Sequence, residues 1–434
     1  MADPSYRVLI ASESPLLPSS SGNSTAEIAK RLIAKGHEVA VVAWDQTGGE
    51  IHHPDGYIIV SGGAQFGGFP LNGVSEPTIL DREVHSLKPD VIYSDAPMWA
   101  LQQVVKTSNG MKIPLVAHLG VRGFPLNHKH VNLLSMVHTP LWKSQFAKEQ
   151  FTSLIERYTA DGLGVMEDSK TELLDRYIDN FGEVIPMGAD SELFHGLNPD
   201  AKKKMRESLG IGHWDTVFIS VGNNNTQRQY PRLFEAFKML IMSLDDDVKG
   251  TVGMVVHCGD PRGAMMDGNN LIELAESMGL SNAITFSDQS VHPRDGLSIT
   301  GLSNLYDMCD CFVTATSGAA NGNSLAEAMM AGLPVIMPDN TMARDRIGLQ
   351  RGWVAQQSTS LMAKDQTYYG LVDEHALKEA MRAFMDEDEE ATQERADKCR
   401  SYALEHLDWD IVTERLIDAL GEAINTPHPH TKEE

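Results

Sequence analysis

The chain has 434 residues, with 36 Lys or Arg against 60 Asp or Glu and a formal net charge of −24. A single hydrophobic core rarely grows beyond ~250 residues, so this length predicts two domains, and the acidic balance disfavours non-specific binding to nucleic acid. No apolar run approaches the ~20 residues of a membrane span, and the N-terminus lacks the pattern of a secretory signal, so we expect a cytoplasmic protein without a membrane span.

The first 45 residues have the pattern of a β-strand, a crossover helix and a second, parallel strand. Strand-like runs cover 7–11 and 38–43, and the segment between them carries apolar residues at helical spacing. Ser24 and Glu27 have the spacing of a capping box and predict the start of the helix, and Gly36 predicts its end.

Strand-like runs alternate with helix-length segments along the rest of the chain. They cover 91–93, 113–117 and 183–187 and, after a polar stretch near residue 198, also 216–222, 254–258, 283–286, 311–315 and 333–339. This alternation predicts an α/β fold of two doubly wound, Rossmann-like domains, each with a parallel sheet. We place these domains at 1–197 and 198–400 and expect a disordered tail over 426–434.

The four cysteines form no CxxC pair, and most of them lie on or beside apolar strand-like runs. A thiol in such a place behaves as a small hydrophobic group. We therefore expect reduced core cysteines rather than a metal or redox site. They are Cys258, Cys309, Cys311 and Cys399.

Loops that follow strands are the first places to search, because open parallel sheets bind ligands outside the carboxyl ends of their strands. In the first domain, Gly22 lies in a loop of small residues entering a helix, where backbone N–H groups can receive an anion, and an ordinary turn is the simpler alternative. His118 lies at the carboxyl end of a strand, where catalytic or ligand-orienting side chains are common, although lone histidines are usually structural.

In the second domain, a loop after the strand at 216–222 carries amide and guanidinium donors and precedes a helix that begins near Pro231. Such donors at the start of a helix suit a diphosphate, and a solvated loop is the alternative interpretation. The residues concerned are Gly222, Asn223, Asn224 and Arg228.

A second Gly/Asn-rich loop precedes a helix that we predict from about Ser324 to Gly332. Its backbone and side chains form a potential nest of hydrogen-bond donors. The carboxylate of Glu327 either accepts hydrogen bonds from two vicinal hydroxyls, as on ribose, or completes a capping box with Ser324. The nest comprises Asn321, Gly322, Asn323 and Ser324.

Between residues 112 and 148 the chain carries basic residues and no acidic one. This stretch predicts either a solvated face or a surface that receives an anionic ligand. Arg122 and Lys129 are our candidates on the acceptor side. The complete set is Lys112, Arg122, Lys129, Lys143 and Lys148.

Four segments together resemble the large family of retaining GT-B glycosyltransferases that is numbered family 4. RVLIASESPLLPSSSGNSTAEIAKRLIAKGHEVAVVA is similar to its opening strand, glycine loop and second strand, and EVIPMGADSELF to its iPnGvDxxxF segment. NSLAEAMMAGLPVIMPD resembles its lEAmAxGxPVi signature. YALEHLDWDIVTERL resembles its terminal helix, which implies that 401–425 crosses back to the first domain.

The resemblance implies two Rossmann-like domains facing a cleft, and transfer of a hexosyl or pentosyl group from a UDP-, GDP- or ADP-sugar with retention and without a metal. Glu327 would bind the donor ribose, and Arg228 would occupy the family's phosphate-binding Lys position. Gly22 would line the phosphate side, and His118 would lie close to the transferred sugar. The backbone from Gly322 to Leu325 would lie near the diphosphate and the sugar.

Two positions depart from the family pattern. Ala319 stands where the family usually has an acid that contacts the donor sugar, and Asn223 stands where it usually has a phosphate-binding Arg. The alternative function is therefore a catalytically silent GT-B protein that binds a sugar nucleotide or glycan, and a third is a GT-B epimerase or phosphorylase. The acceptor stays open among a glycan, a lipid carrier, a small metabolite, a protein and a modified nucleic-acid base.

Overall fold

A computed structural model describes residues 4–46, 48–62, 78–134, 136–160, 182–263, 267–287, 297–348 and 350–427. Its contacts divide the chain into two compact units. The first unit comprises residues 1–120, 125–186 and 409–434, and the second comprises 121–124 and 187–408. The tail predicted over 426–434 lies almost wholly outside the described residues, because these end at residue 427.

The strands of the first unit are β1 (Arg7–Ser12), β2 (Glu38–Ala43), β3 (Ile51–His52), β4 (Ile58–Ser61), β5 (Val91–Ser94), β6 (Leu115–Leu119) and β7 (Thr139–Trp142). They form a sheet in the order β3-β4-β2-β1-β5-β6-β7, in which only the β3–β4 pair is antiparallel within the described residues. Near-continuous apolar runs such as Val8 to Ala11 build these strands because helices cover both faces of a parallel sheet.

The strands of the second unit are β8 (Thr216–Val221), β9 (Val252–His257), β10 (Ile284–Phe286), β11 (Cys311–Val313), β12 (Val335–Pro338), β13 (Gly352–Ala355), β14 (Gln357–Met362) and β15 (Tyr368–Val372). Strands β8 to β13 form a parallel sheet in the order β10-β9-β8-β11-β12-β13. Strands β14 and β15 form a separate antiparallel hairpin, which was not predicted from the strand-like runs of the sequence.

The helices, in chain order, are α1 (Ser20–Ala34), α2 (Ile79–Leu87), α3 (Met98–Met111), α4 (His128–Leu134), α5 (Gln145–Ala160), α6 (Pro199–Ser208), α7 (Tyr230–Ser243), α8 (Asp246–Lys249), α9 (Leu271–Ser277), α10 (Ile299–Asp307), α11 (Asn323–Met330), α12 (Ala343–Ile347), α13 (Glu374–Met385), α14 (Glu389–His406) and α15 (Trp409–Asn425). None of the helices in the described ranges is long and apolar enough to cross a membrane.

Both parallel sheets have the strand order of a doubly wound fold, which confirms the predicted fold class. The order reverses between β1 and β5 in the first unit and between β8 and β11 in the second. Ligands of such sheets bind at this reversal, outside the carboxyl ends of the strands. The two reversals therefore define where each unit is expected to carry a site.

The last helix, α15, packs within the first unit, although it follows the whole second unit in sequence. Exposed ion pairs join it to α1, between Asp410 and Arg31 (2.7 Å) and between Glu414 and Lys35 (2.8 Å). Its apolar face also packs against the unit, because buried residues such as Leu416 and Leu420 recur at helical spacing. The resemblance implied such a return over 401–425, but it begins only at Trp409, because residues 401–408 belong to the second unit.

Two local predictions are wrong. Helix α1 begins at Ser20 with Ser19 as its N-cap, whose hydroxyl accepts a hydrogen bond from Gly22 N (2.9 Å). Ser24 instead donates to the carbonyl of Ser20 (2.9 Å) inside the helix, so it forms no capping box with Glu27. The run 183–187 forms no strand and contributes only a single bridge, between Val184 and Trp142.

All four cysteines are free and buried, as predicted. Burial raises the pKa of the Cys399 thiol to about 12, so this group stays protonated at physiological pH. The cysteines therefore act as small apolar groups in the core of the second unit.

Candidate functional site

The loops that follow β8 and β11 meet at the strand-order reversal of the second sheet. The carbonyl of Gln227, in the first loop, accepts hydrogen bonds from Ser317 N (2.8 Å) and Ser317 Oγ (3.0 Å) in the second. The side-chain amide of Gln227 donates in turn to the carbonyl of Gly318. These bonds fix the two loops against each other and determine the position of the next residue, Arg228.

Arg228 ends a short 3₁₀ turn, which Asn225 caps by accepting a hydrogen bond from Arg228 N (3.2 Å). The guanidinium lies over Gly222, where a Cβ would come within 2.5 Å of Arg228 Nε. Within the described residues, this half-buried guanidinium donates no hydrogen bond and has no carboxylate at ion-pair distance. Burial lowers the pKa of Arg228, but a guanidinium stays protonated in proteins.

Glu327 lies in the second turn of α11 and is 8% exposed. Its Oε2 accepts a hydrogen bond from the hydroxyl of Tyr306 (2.8 Å). Burial raises the pKa of Glu327 to about 7, while the Tyr306 hydrogen bond and the charge of Arg228 act in the opposite direction. The capping-box interpretation of Glu327 is wrong. The N-cap of α11 is Gly322 rather than Ser324, and no side-chain hydrogen bond caps this helix.

Arg228, Glu327 and Tyr306 thus lie close enough that each shifts the pKa of the others. Loop chemistry in the sequence predicted Arg228 and Glu327 but not Tyr306. Its position on α10, beside Leu305 and Leu302, is typical of a core aromatic residue, and Tyr306 is indeed fully buried. Only the hydrogen bond from its hydroxyl to Glu327 shows that Tyr306 belongs to the candidate site.

The start of α11 supplies backbone donors beside this cluster. The first N–H groups of a helix precede its hydrogen-bonded ladder, and Gly322 enters the helix in the left-handed region with φ 72°. A Cβ at Gly322 would overlap the sulfur of Met342, so close packing also requires glycine here. Of the neighbouring candidates, Asn323 and Leu325 are buried, whereas Asn321 and Ser324 are partly exposed.

The three consecutive asparagines after β8 have different environments. Asn224 is buried, and its amide nitrogen donates to the carbonyls of Asp260 (2.8 Å) and Asn269 (2.6 Å). Asn224 Oδ1 accepts from Asn269 N (3.2 Å). Asn224 therefore ties two loops together instead of presenting its amide to a ligand, whereas Asn223 is exposed.

His118 lies in β6 of the first unit and is buried. Its Nε2 donates to the carbonyl of Ile185 (2.6 Å), so Nδ1 is the acceptor for the hydroxyl of Tyr93 (2.9 Å). Burial, together with the charge of Lys143, lowers the pKa of His118 to about 3. The imidazole is therefore neutral, and both of its nitrogens are bonded to the protein.

Gly22 is buried at the start of α1, and a Cβ there would overlap the carbonyl oxygen of Leu17 and approach that of Ser14 (2.7 Å). Its N–H is bonded to Ser19, so the glycine serves the packing of its own loop.

The residues of the basic stretch have different environments. Lys143 is buried in an ion pair with Asp95. Arg122 and Lys129 are both exposed, but Arg122 belongs to the second unit and Lys129 to the first.

Two family models match the chain. The model "Glycosyltransferase Family 4" matches residues 21–192, and "Glycosyl transferases group 1" matches residues 201–403. A comparison with curated protein sequences gives no significant match. The chain belongs to the GT-B glycosyltransferases of the group 1 type.

Solved structures share this fold at low sequence identity. HepE from Anabaena in complex with UDP and glucose has a TM-score of 0.67 and 16% identity, covering 96% of this chain and 100% of that one. Sucrose-phosphate synthase from Thermosynechococcus elongatus has a TM-score of 0.70 and 13% identity, covering 97% and 99%. A glycosyltransferase from Rickettsia africae has a TM-score of 0.66 and 14% identity, also covering 97% and 99%.

Proposed function

We propose that this glycosyltransferase transfers a hexosyl or pentosyl group from a UDP-, GDP- or ADP-sugar to an acceptor hydroxyl with retention of configuration. The observation that carries the proposal is the juxtaposition of Arg228 and Glu327 at the carboxyl ends of β8 and β11. Among the residues that the structure describes, Arg228 has no carboxylate at ion-pair distance, and Glu327 is a buried carboxylate. These two groups suit the two chemically distinct parts of a nucleoside diphosphate.

Each side chain has a role in this proposal. The Glu327 carboxylate accepts hydrogen bonds from the vicinal hydroxyls of the ribose, and Tyr306 holds it in place. The Arg228 guanidinium and the backbone N–H groups at the start of α11 bind the diphosphate. The backbone that the resemblance implied on the donor side, from Gly322 to Leu325, borders the same position, together with Asn321 of the predicted nest.

The chemical step needs little from acidic or basic side chains. The acceptor oxygen forms a bond to the anomeric carbon on the face from which the diphosphate departs, and the bond between that carbon and the phosphate oxygen breaks. The acceptor proton passes to the leaving diphosphate. The protein contributes by stabilising negative charge on the departing group, where a single preorganised donor is worth roughly 2.7–4 kcal/mol. We propose that no metal is required for this.

His118 has a positioning role in this proposal and takes no part in proton transfer. Its two nitrogens link Tyr93 on β5 to the backbone at Ile185. The N–H of this neutral ring is engaged with the carbonyl of Ile185 and its lone pair with the hydroxyl of Tyr93, so neither is available to a substrate. Its contribution is to fix the carboxyl edge of the first sheet.

A catalytically silent binder is the second candidate, and Ala319 favours it. The residue has no carboxylate for the hydroxyls of a donor sugar, and its backbone N–H donates to Thr341 Oγ1 (3.2 Å). Such a protein would bind the nucleotide through Arg228 and Glu327 but would leave the sugar in place.

One experiment identifies the donor, and a second separates the two candidates. Thermal unfolding is measured with a panel of nucleotide sugars, where a ligand at a hundred times its dissociation constant adds about 2.7 kcal/mol of stability. Release of free sugar from the best ligand is then measured without acceptor. A transferase releases sugar slowly to water and loses this activity in Arg228→Ala, whereas a silent binder releases none. Failure of every nucleotide sugar to stabilise the protein would overturn both candidates.

A further inference from the structure

Residues 121–124 leave the first unit and dock on the hairpin of the second. Phe124 N donates to the carbonyl of Tyr368 (3.1 Å), and Tyr368 N donates to that of Phe124 (2.8 Å), so Phe124 pairs with β15 as an antiparallel strand does. Gly123 allows this approach, since a Cβ there would lie 2.5 Å from Thr367 Oγ1 and 2.6 Å from Tyr369 Cδ1. These contacts hold the preceding residue, Arg122, on the second unit.

Arg122 is connected to the loops of the candidate site through Gly318. A Cβ at Gly318 would overlap the carbonyl oxygen of Arg122, so the two backbones are in direct contact. The carbonyl of Gly318 accepts the side-chain hydrogen bond of Gln227, and Arg228 follows Gln227 in the chain. The packing therefore brings Arg122 close to Arg228, although the two residues are far apart in the sequence.

The two guanidinium groups form a like-charge pair. The charge of Arg122 contributes to the lowering of the Arg228 pKa, which requires that the groups lie within electrostatic range. In the described part of the chain, neither guanidinium donates a hydrogen bond or meets a carboxylate at ion-pair distance. This chain has 60 acidic residues, so counterions are not scarce. Two cations within electrostatic range repel each other, and an anion bound between them would remove this repulsion.

We propose that Arg122 is a second diphosphate-binding residue of the donor site and acts together with Arg228. Each guanidinium presents a planar fork of N–H groups that matches phosphate oxygens. The inference rests on the proposed function and extends it to a residue that the sequence analysis placed on the acceptor side. It also explains the departure at Asn223, because Arg122 supplies from another segment the cation that the family usually carries at that position.

Equilibrium binding tests the inference. Dissociation constants are measured by titration calorimetry for UDP, GDP and ADP, and for the nucleoside of the best ligand, which lacks phosphate. The variants are Arg122→Gln, Arg228→Gln and the control Arg382→Gln. Arg382 is a partly exposed arginine on α13 of the same unit and pairs with Asp386 (2.8 Å) at the end of that helix.

Removing one hydrogen-bonded cation is expected to weaken binding of the best nucleoside diphosphate about tenfold to a hundredfold in Arg122→Gln. Binding of the nucleoside stays within about twofold, and Arg382→Gln binds both ligands as the wild type does. Because Arg122 is exposed, its replacement is not expected to affect folding, and the unfolding midpoint checks this.

The outcomes separate the two proposals. If Arg228→Gln loses diphosphate affinity and Arg122→Gln keeps it, the role of Arg122 is refuted and the donor site stands. If Arg122→Gln weakens the nucleoside as much as the diphosphate, the residue does not bind phosphate and the inference is refuted as well. If the wild type binds no nucleoside diphosphate, the proposed function and this inference are both overturned.

Discussion

The hydroxyl of Tyr306 donates a hydrogen bond of 2.8 Å to Oε2 of Glu327, and both side chains are buried in the second unit. The same hydroxyl lies 3.2 Å from the carbonyl oxygen of Ser324, one turn earlier on α11. A tyrosine from α10 thereby holds the carboxyl group in place, and its hydrogen bond opposes the rise in the pKa of Glu327 that burial causes. The properties of the site depend on this pair as much as on Arg228.

Tyr306→Phe is expected to weaken nucleotide binding several-fold at pH 7 and to approach wild-type affinity near pH 9. The Tyr306 hydrogen bond favours the ionised form of Glu327, so its loss raises the pKa of the carboxyl above the wild-type value of about 7. At higher pH the carboxylate ionises in the variant too. Binding measured across this range distinguishes control of Glu327 from a purely structural defect, which would persist at all pH values.

Glu327 is expected to make the protein less stable as the pH rises from about 4.5 to 7. The pKa of Glu327 is about 7 in the folded state and 4.5 when unperturbed, so between these values the folded state holds more protons than the unfolded state. Stability contributed by this group is therefore full below pH 4.5 and lost by about pH 7. The difference amounts to up to about 3 kcal/mol, and urea unfolding of the wild type against Glu327→Gln at each pH measures it.

The affinity for a nucleoside diphosphate changes with pH in the opposite direction. The ribose hydroxyls donate to the ionised carboxylate, so affinity of the wild type is expected to rise through pH 7. Glu327→Gln provides the control because titration of the ligand phosphate affects both proteins equally. An identical pH profile in the two proteins would exclude Glu327 as the ribose ligand.

Arg228→Ala is expected to slow turnover by at least about a hundredfold while leaving the fold intact. One donor to charge that develops in the transition state is worth roughly 2.7–4 kcal/mol. The side chain makes no hydrogen bond to described residues, so the unfolding free energy should change by only about 0.5 kcal/mol. Turnover and denaturant unfolding are measured on the same preparations, and near-normal turnover would refute the assignment.

Lys143→Met is expected to destabilise the protein by about 3–5 kcal/mol. The ammonium and Asp95 form an ion pair in which both side chains are almost fully buried, at 4% and 3% exposure. Removing one partner takes the opposite charge away from a buried carboxylate, whereas removing both is far less costly. The double variant Asp95→Asn/Lys143→Met should therefore recover much of the loss in denaturant unfolding, and equal destabilisation of the two variants would contradict this explanation.

Much of the fold could be predicted because its signals are local. The strand at 38–43 matches β2 at both ends, and α7 begins one residue before Pro231. Errors arose where several local signals compete: the serine-rich segment from Ser19 to Ser24 offers more than one N-cap, and tertiary packing selected Ser19. The β14–β15 hairpin was missed because polar, exposed strands such as 357–362 lack the apolar runs used to find buried strands.

The sequence by itself determined the α/β class, the strand-end loops and the two charged residues of the candidate site, because periodicity and loop chemistry are written in consecutive residues. Only the tertiary structure decided what each charged group faces. In the folded chain Tyr306 donates a hydrogen bond to Glu327, and Arg122 lies near Arg228. Asn224 joins the loop after β8 to the loop after β9, and Lys143 is buried in an ion pair with Asp95. These partners come from distant segments, and their pairing depends on how helices and loops pack, which no local pattern encodes.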